Sequence, residues 1–294
     1  MKLRGQFAAN SLLALGCLVF ANQSSAAHDT YQFEVPATYT DSSSDDGVDV
    51  TAWTLGAIGY FSAVENDEYP YAESGFIARQ SYVGVNTGNL KLELPGSRIE
   101  GNATDASAGY GNPKVPIALD LRYSTAKPSG NIGEFDVESS FISKGLTISY
   151  YLNDHSAIGV GYEKSNSELR STLIDIPSRS TNTKSATYKL VSTLRDANYV
   201  SVQTEVKLEK DNEGLKNRQV SFGLDYYFDR SLGMGAATDA TTGDDKDQEG
   251  RTFTIRASKV VNGKLVFGLS YNQFIAKLDD NSEQGLSVHF AWRI

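Results

Sequence analysis

A chain of 294 residues, 40% hydrophobic, with 16 Tyr, 13 Phe, 26 Gly, only 7 Pro and a mean hydropathy below zero, is too polar for a bundle of membrane helices. Its formal charge of -9 excludes nucleic acid or anionic lipid as a partner held by bulk electrostatics. One cysteine, Cys17, excludes a disulfide framework and a thiolate metal site.

In chain order, Lys2 and Arg4 precede an apolar run over 11–21, and Asn22, Gln23 and Ser25-Ala26-Ala27 follow it. This is the pattern of a secretory signal peptide over 1–27, with 28–294 as the mature chain. The run is shorter than the roughly 20 residues that span a bilayer. Cys17 lies inside that run with Ala14 three positions before it, which is not the pattern of a lipidated cysteine.

After the first segment, 31–40, comes an acidic, serine-rich run, 41–46. Residues 48–64 carry Trp53, Leu55, Ile58, Tyr60 and Phe61 on both parities, and 76–85 follow as a further strand. Leu90, Leu92 and Leu94 alternate with Lys91 and Glu93, a loop rich in Gly, Asn and Ser is expected over 95–113, and Ile117, Leu119, Leu121 and Tyr123 alternate with Ala118, Asp120 and Arg122. Period two with charges on the second face is the strand signature. Over 135–152 the apolar parity switches between Phe141 and Leu146, which reads as one long strand with a bulge in preference to a hairpin turning at Ser143-Lys144-Gly145.

The second half repeats one unit, an alternating strand, a tight polar turn and another alternating strand. Leu146, Ile148, Tyr150 and Leu152 run into Asn153-Asp154-His155-Ser156, and Ile158, Val160 and Tyr162 run out. The same unit turns at 195–198, at 229–231 and at 261–263. Connections at the other end read as longer and more polar: 164–184, 209–216, 238–249 and 279–284. Short turns at one end, long loops at the other, and aromatics such as Tyr150-Tyr151, Tyr226-Tyr227 and Phe228 before the tight turns are the layout of an outer-membrane barrel. The chain closes on Leu286, Val288, Phe290, Trp292 and Ile294 alternating with Ser287, His289, Ala291 and Arg293. The fold expected is an all-β, transmembrane, antiparallel up-and-down β-barrel of about 14 strands, with 12 to 16 compatible with the length.

These features together resemble the porins of Gram-negative outer membranes. The last strand is similar to the signature by which the barrel assembly machinery recognises such proteins, with Ile294 in the place where Phe is usual. The resemblance implies a barrel in the outer membrane, contacting its lipid and lipopolysaccharide, that passes small hydrophilic solutes by passive diffusion, with a homotrimer as one arrangement it allows. The competing class is a closed structural barrel that acts as adhesin or receptor through its outer loops.

With the apolar parity facing lipid, the other parity gives a pore lining of Asp120, Arg122, Lys189, Arg195, Glu205, Lys207, Asp225, Arg256, His289 and Arg293. That set leans basic and predicts a mild preference for anionic or neutral solutes. No enzyme is expected: of the three histidines, His28 precedes the barrel, His155 sits in a turn, and His289 has only Ser287 and Ser270 as expected neighbours. The run 244–250 resembles a calcium loop, but the position that should carry the bidentate Glu is Arg256. No metal, cofactor or nucleic acid is expected.

Overall fold

The computed structural model describes residues 31–65, 69–171, 175–194, 198–244, 249–261, 264–276 and 282–294. The expected signal peptide, Arg195 and most of the acidic run 244–250 lie outside the described residues.

The described chain forms a closed barrel in which each strand pairs with its sequence neighbours and the first pairs with the last. The strands are β1 (Tyr31–Ser44), β2 (Asp49–Val64), β3 (Tyr82–Leu94), β4 (Ser97–Tyr110), β5 (Ile117–Ile132), β6 (Phe135–Asn153) and β7 (Ser156–Ser171). They continue as β8 (Asp175–Thr193), β9 (Tyr199–Asp211), β10 (Lys216–Tyr227), β11 (Leu232–Gly243), β12 (Gly250–Val261), β13 (Leu265–Ala276) and β14 (Ser282–Arg293). All pairings are antiparallel, from Glu34 opposite Arg293 to Ser44 opposite Glu283 at the seam. Closure leaves no row of unpaired backbone groups, which a hydrocarbon surround could not satisfy.

The strands form because apolar and polar residues alternate, and the alternation sorts into outside and inside. On β14, Leu286, Val288, Phe290, Trp292 and Ile294 are exposed outward, while Ser287, His289, Ala291 and Arg293 are buried within. The same outward row recurs as Ile117, Leu119, Leu121 and Tyr123 on β5, Ile158, Val160 and Tyr162 on β7, and Val220, Phe222 and Leu224 on β10. Three to five outward residues per strand make a band up to roughly 25 Å tall once strand tilt is included, the height of a hydrocarbon core.

The strands outlast that band. On β6 the register with β5 runs without a shift from Ile117 opposite Tyr150 to Ile132 opposite Phe135, so the expected bulge between Phe141 and Leu146 is not there. Val137 and Ser143 are buried on the inner parity, which Phe141 shares, while Lys144 is exposed on the outer parity with Leu146. The apolar parity switches because the surround changes from lipid to water at Lys144, not because the strand slips. β3 behaves alike: Val83 and Val85 face out, yet Leu92 is buried inward with Val50 and Ile99, and Leu90 and Leu94 pack against them. The expected orientation of Leu90, Leu92 and Leu94 toward lipid is thus reversed.

Two further expectations are corrected by the same extension. The loop expected over 95–113 is mostly β4, and much of the long loops expected over 164–184, 209–216, 238–249 and 279–284 is strand. The longest described connection lies instead at the opposite end, between β2 and β3, where the chain makes a 3-10 turn, Tyr71–Glu73, and a short helix α1, Ser74–Ala78. Part of the strand expected over 76–85 is therefore helix.

Candidate functional site: a charged bore and the segment across its mouth

The connection between β2 and β3 enters the end of the barrel where β1 begins and β14 ends. It binds the wall on its own side, where Ala78 is buried with Tyr31, Val64, Val260, Val266 and Ala291, and Tyr71 packs against that cluster. It also binds the far wall. Glu73, 4% exposed, accepts a hydrogen bond from the Tyr227 hydroxyl at 3.0 Å and pairs with Lys189 at 2.6 Å. Tyr227 is on β10, seven places round the fourteen-strand ring from β3. The segment therefore spans the mouth from side to side.

Further contacts fix it. Tyr71 donates its backbone N–H to the Arg230 carbonyl at 2.9 Å, and the Arg230 Nε–H donates to the Tyr69 carbonyl at 3.1 Å, with the guanidinium over the Tyr71 ring. Arg230 belongs to the β10–β11 turn, where burial would raise the Asp229 carboxyl but hydrogen bonds from Ser231 and the Leu232 N–H hold it below its usual range. Arg79 pairs with Asp154 of the β6–β7 turn at 2.6 Å and lies over the Tyr151 ring, while the Tyr151 hydroxyl donates to the Phe76 carbonyl. Phe76 stacks on Tyr151, and Lys189 sits over the Phe76 ring.

Local conformation serves this docking. Arg79 ends α1 at φ 48, the left-handed region that a residue with a side chain enters at a cost of about 1 kcal/mol or more. At Gly111 an added Cβ would stand 2.4 Å from the Arg79 carbonyl oxygen, so glycine is required where the β4–β5 connection passes the segment.

Sequence reading placed the paired tyrosines in an interfacial girdle. Tyr150 is exposed outward as expected, but Tyr151 and Tyr227 are buried inward and hold the segment. Strand alternation dictates this, since neighbouring residues cannot share a face. The Tyr-Tyr doublets were thus the signal for an inner partner.

Within the bore, the expected residues fall into separate groups. Arg256 makes two hydrogen bonds to Asp225, at 2.6 and 2.5 Å, and an added Cβ on Gly235, opposite both in register, would lie 1.9 Å from Asp225 Oδ1. Glycine there makes room for the pair. Lys207 pairs with Glu205 along β9 at 3.3 Å. Asp120 accepts a hydrogen bond from Tyr82 at 2.8 Å, and Arg122 stands opposite Ser107 and Gly145 on the same inner face. Lys189 is taken up by Glu73. Arg293, with a side chain 0% exposed, pairs with buried Glu34 at 2.7 Å, and His289 meets Thr38 through Nδ1 at 3.1 Å. Ser287 bonds Thr40 rather than His289, while Ser270 stands opposite it across the pair.

The inner face also carries acids absent from the expected lining. Glu34 is buried beside Arg293, Asp211 is buried and pairs with Arg179, and Asp105, Glu163, Glu209 and Glu283 share the inner parity of their strands. Glu163 accepts from Ser143 and Glu283 accepts from Ser42, hydroxyls rather than cations. Among the described residues, the lining is rich in acid, which corrects the basic lean expected from sequence. Sequence reading missed Asp211, Glu163, Glu209 and Glu283 because they stand above the lipid band, where the outward row is no longer apolar and its parity cannot be read; Glu34 lies at the other end, beside Arg293, on a first strand whose faces the alternation did not assign.

No family model and no curated protein matches the chain. Solved structures do. The Acinetobacter baumannii outer membrane protein Omp33 aligns with a TM-score of 0.60 at 16% identity, over 90% of this chain and 99% of that one. A FadL homologue from Pseudomonas aeruginosa aligns at 0.53 and 11% identity, over 90% of each chain. The Pseudomonas putida toluene transporter TodX aligns at 0.52 and 10% identity, over 91% and 90%. At these identities the likeness is one of fold, that of Gram-negative outer-membrane β-barrels.

Proposed function

We propose that this chain is an outer-membrane channel for passive diffusion of small hydrophilic solutes, closed in this structure by the segment 69–81. The carrying observation is the union of a charged inner face with a segment latched across one mouth through Glu73, Lys189 and Tyr227. The lipid-height outer band and the fold shared with outer-membrane channels support the location. At the other end the strands run on beyond the lipid band, as the longer extracellular parts of such barrels do, so the segment guards the periplasmic mouth. Outer-membrane lipid surrounds the band, and the β14 outer row serves the assembly machinery.

The bore lining gives the selectivity. Fixed acids concentrate cations in a narrow aqueous path, so the open channel prefers cationic or neutral polar solutes. Planar-bilayer recording of the purified chain tests the whole reading: rare steps are expected from the native protein and frequent steps of the same size from Glu73→Gln/Lys189→Gln. Silence from both, with the barrel intact, overturns it and favours the second reading, a plugged barrel acting through its exposed end. The buried side-to-side contacts of the segment are the observation behind that alternative.

A further inference from the structure

The outer face above the lipid band is not uniform around the barrel. On β6 the first outward residue above Leu146 is Lys144, on β7 above Tyr162 it is Lys164, and on β8 above Ala186 it is Lys184. On β9 Lys210 follows Leu208, on β10 Arg218 follows Val220, and on β5 Lys127 stands two outward positions above Tyr123. All six are exposed. Register sets them side by side: Lys144 is opposite Lys164, Lys184 is opposite Tyr162 and Leu208, and Lys210 is opposite Asn182. Adjacent strands are roughly 4.8 Å apart, so these ammonium groups share one surface.

Like charges placed directly opposite repel, and none of these six is ion-paired among the described residues. Glu168 and Glu138 stand farther from the band, beside Arg170. Elsewhere the cations are paired or single. Lys91 pairs with Glu93 on β3 and Arg98 with Glu100 on β4, Arg251 of β12 stands between Ala240 and Ile275, and β1 and β14 present Asp41, Ser43 and Gln284 outward. A chain of net charge -9 thus gathers uncompensated cations just above the band on five consecutive strands, β6 to β10, with Lys127 of β5 farther up. Below them lie aliphatic residues and two interfacial tyrosines, Tyr123, whose ring is 5.9 Å from Lys144 Nζ, and Tyr162.

Apolar surface below and a row of cations above, in continuous contact, fit one chemistry: an acylated lipid bearing phosphates. We propose that the outer face of β5–β10 binds the phosphorylated lipid of the outer leaflet specifically, its phosphates on Lys144, Lys164 and Lys184 and its chains on Leu146, Ile158 and Val160. The proposal rests on the outer-membrane location given above and refines it to one half of the circumference.

The test titrates the full chain in zwitterionic micelles with bisphosphorylated lipid A and, separately, with the same lipid stripped of its phosphates. Native mass spectrometry reads the bound fraction. Lys144→Gln/Lys164→Gln/Lys184→Gln is expected to bind the phosphorylated lipid roughly tenfold or more weakly. Lys91→Gln/Arg98→Gln, at ion-paired positions, is expected to bind within about twofold of the native chain. Equal binding of the stripped lipid, equal loss in the control variant, or displacement by millimolar inorganic phosphate overturns the proposal. Heat-modifiable mobility of each variant reports the barrel itself, so failure of the membrane reading is seen separately.

Discussion

Glu73, on the segment between β2 and β3, holds Lys189 of β8 at 2.6 Å while the Tyr227 hydroxyl of β10 bonds its other oxygen at 3.0 Å. One carboxylate thereby ties a segment from one wall to two strands of the opposite wall. Lys189 keeps 26% of its side chain exposed, so the pair is screened on one side and worth less than a fully buried one. Glu73→Gln removes the charge but keeps the shape, and should weaken the latch by about 1 to 2 kcal/mol. Open probability in planar bilayers should rise several-fold, with the single-channel step unchanged. A Lys189→Gln variant should behave alike, and the effect of the double variant should fall short of the sum of the two singles, because both remove one interaction.

The barrel was legible from periodicity wherever lipid lies outside, because an apolar surround selects one parity and polar lumen residues fill the other. On β14 every outward residue was correctly oriented for that reason. Above the band, water replaces lipid, and Leu92 and Val137 turn inward while Lys144 turns out. Alternation still marks a strand there, but it no longer says which face is which. The segment across the mouth was illegible for a different reason: Pro70, Ser74 and Gly75 break the period, and its partners are single residues scattered over β6, β8 and β10.

The seam between first and last strands contains an ion pair with both side chains essentially out of solvent, 0% for Arg293 and 2% for Glu34. The guanidinium also lies 5.1 Å from the centre of the Tyr31 ring. Removing one partner leaves a buried charge, at a cost of about 3 to 5 kcal/mol. Arg293→Met should therefore lower the temperature at which the heat-modifiable band converts, and Glu34→Gln should do the same. The double variant Glu34→Met/Arg293→Met should regain most of the loss, since an apolar replacement of the pair carries no stranded charge.

The outer row of β14 and its inner row should respond differently to a charge. Phe290 faces outward and stacks edge-on against Phe267 at 5.4 Å, whereas Ser287 faces in and bonds Thr40 at 3.0 Å. Phe290→Arg places a cation on the lipid face, costing about 2 to 4 kcal/mol near the midplane and less toward the boundary. Trp292→Arg, nearer the end of the strand, should cost less than Phe290→Arg. Ser287→Ala should leave membrane assembly close to native by heat-modifiable mobility on gels. Equal assembly of Phe290→Arg and Ser287→Ala would contradict the outward placement of the row.

Selectivity follows from which lumen charges lack an opposite charge. Arg256 is matched by Asp225, Lys207 by Glu205, Lys189 by Glu73 and Arg293 by Glu34, so these cations project little field. Glu163 and Glu283 are held by serine hydroxyls, and Asp105 shares their inner face, so their charge is left to mobile ions. In a latch-weakened background such as Glu73→Gln, the reversal potential across a salt gradient should report cation preference. Adding Glu163→Gln and Glu283→Gln should shift it toward zero, and the shift should shrink as ionic strength rises above roughly 0.1 M, where the screening length falls below about 10 Å. An anion-selective reversal potential in the same background would return the lumen to the basic lean that the alternation alone suggested.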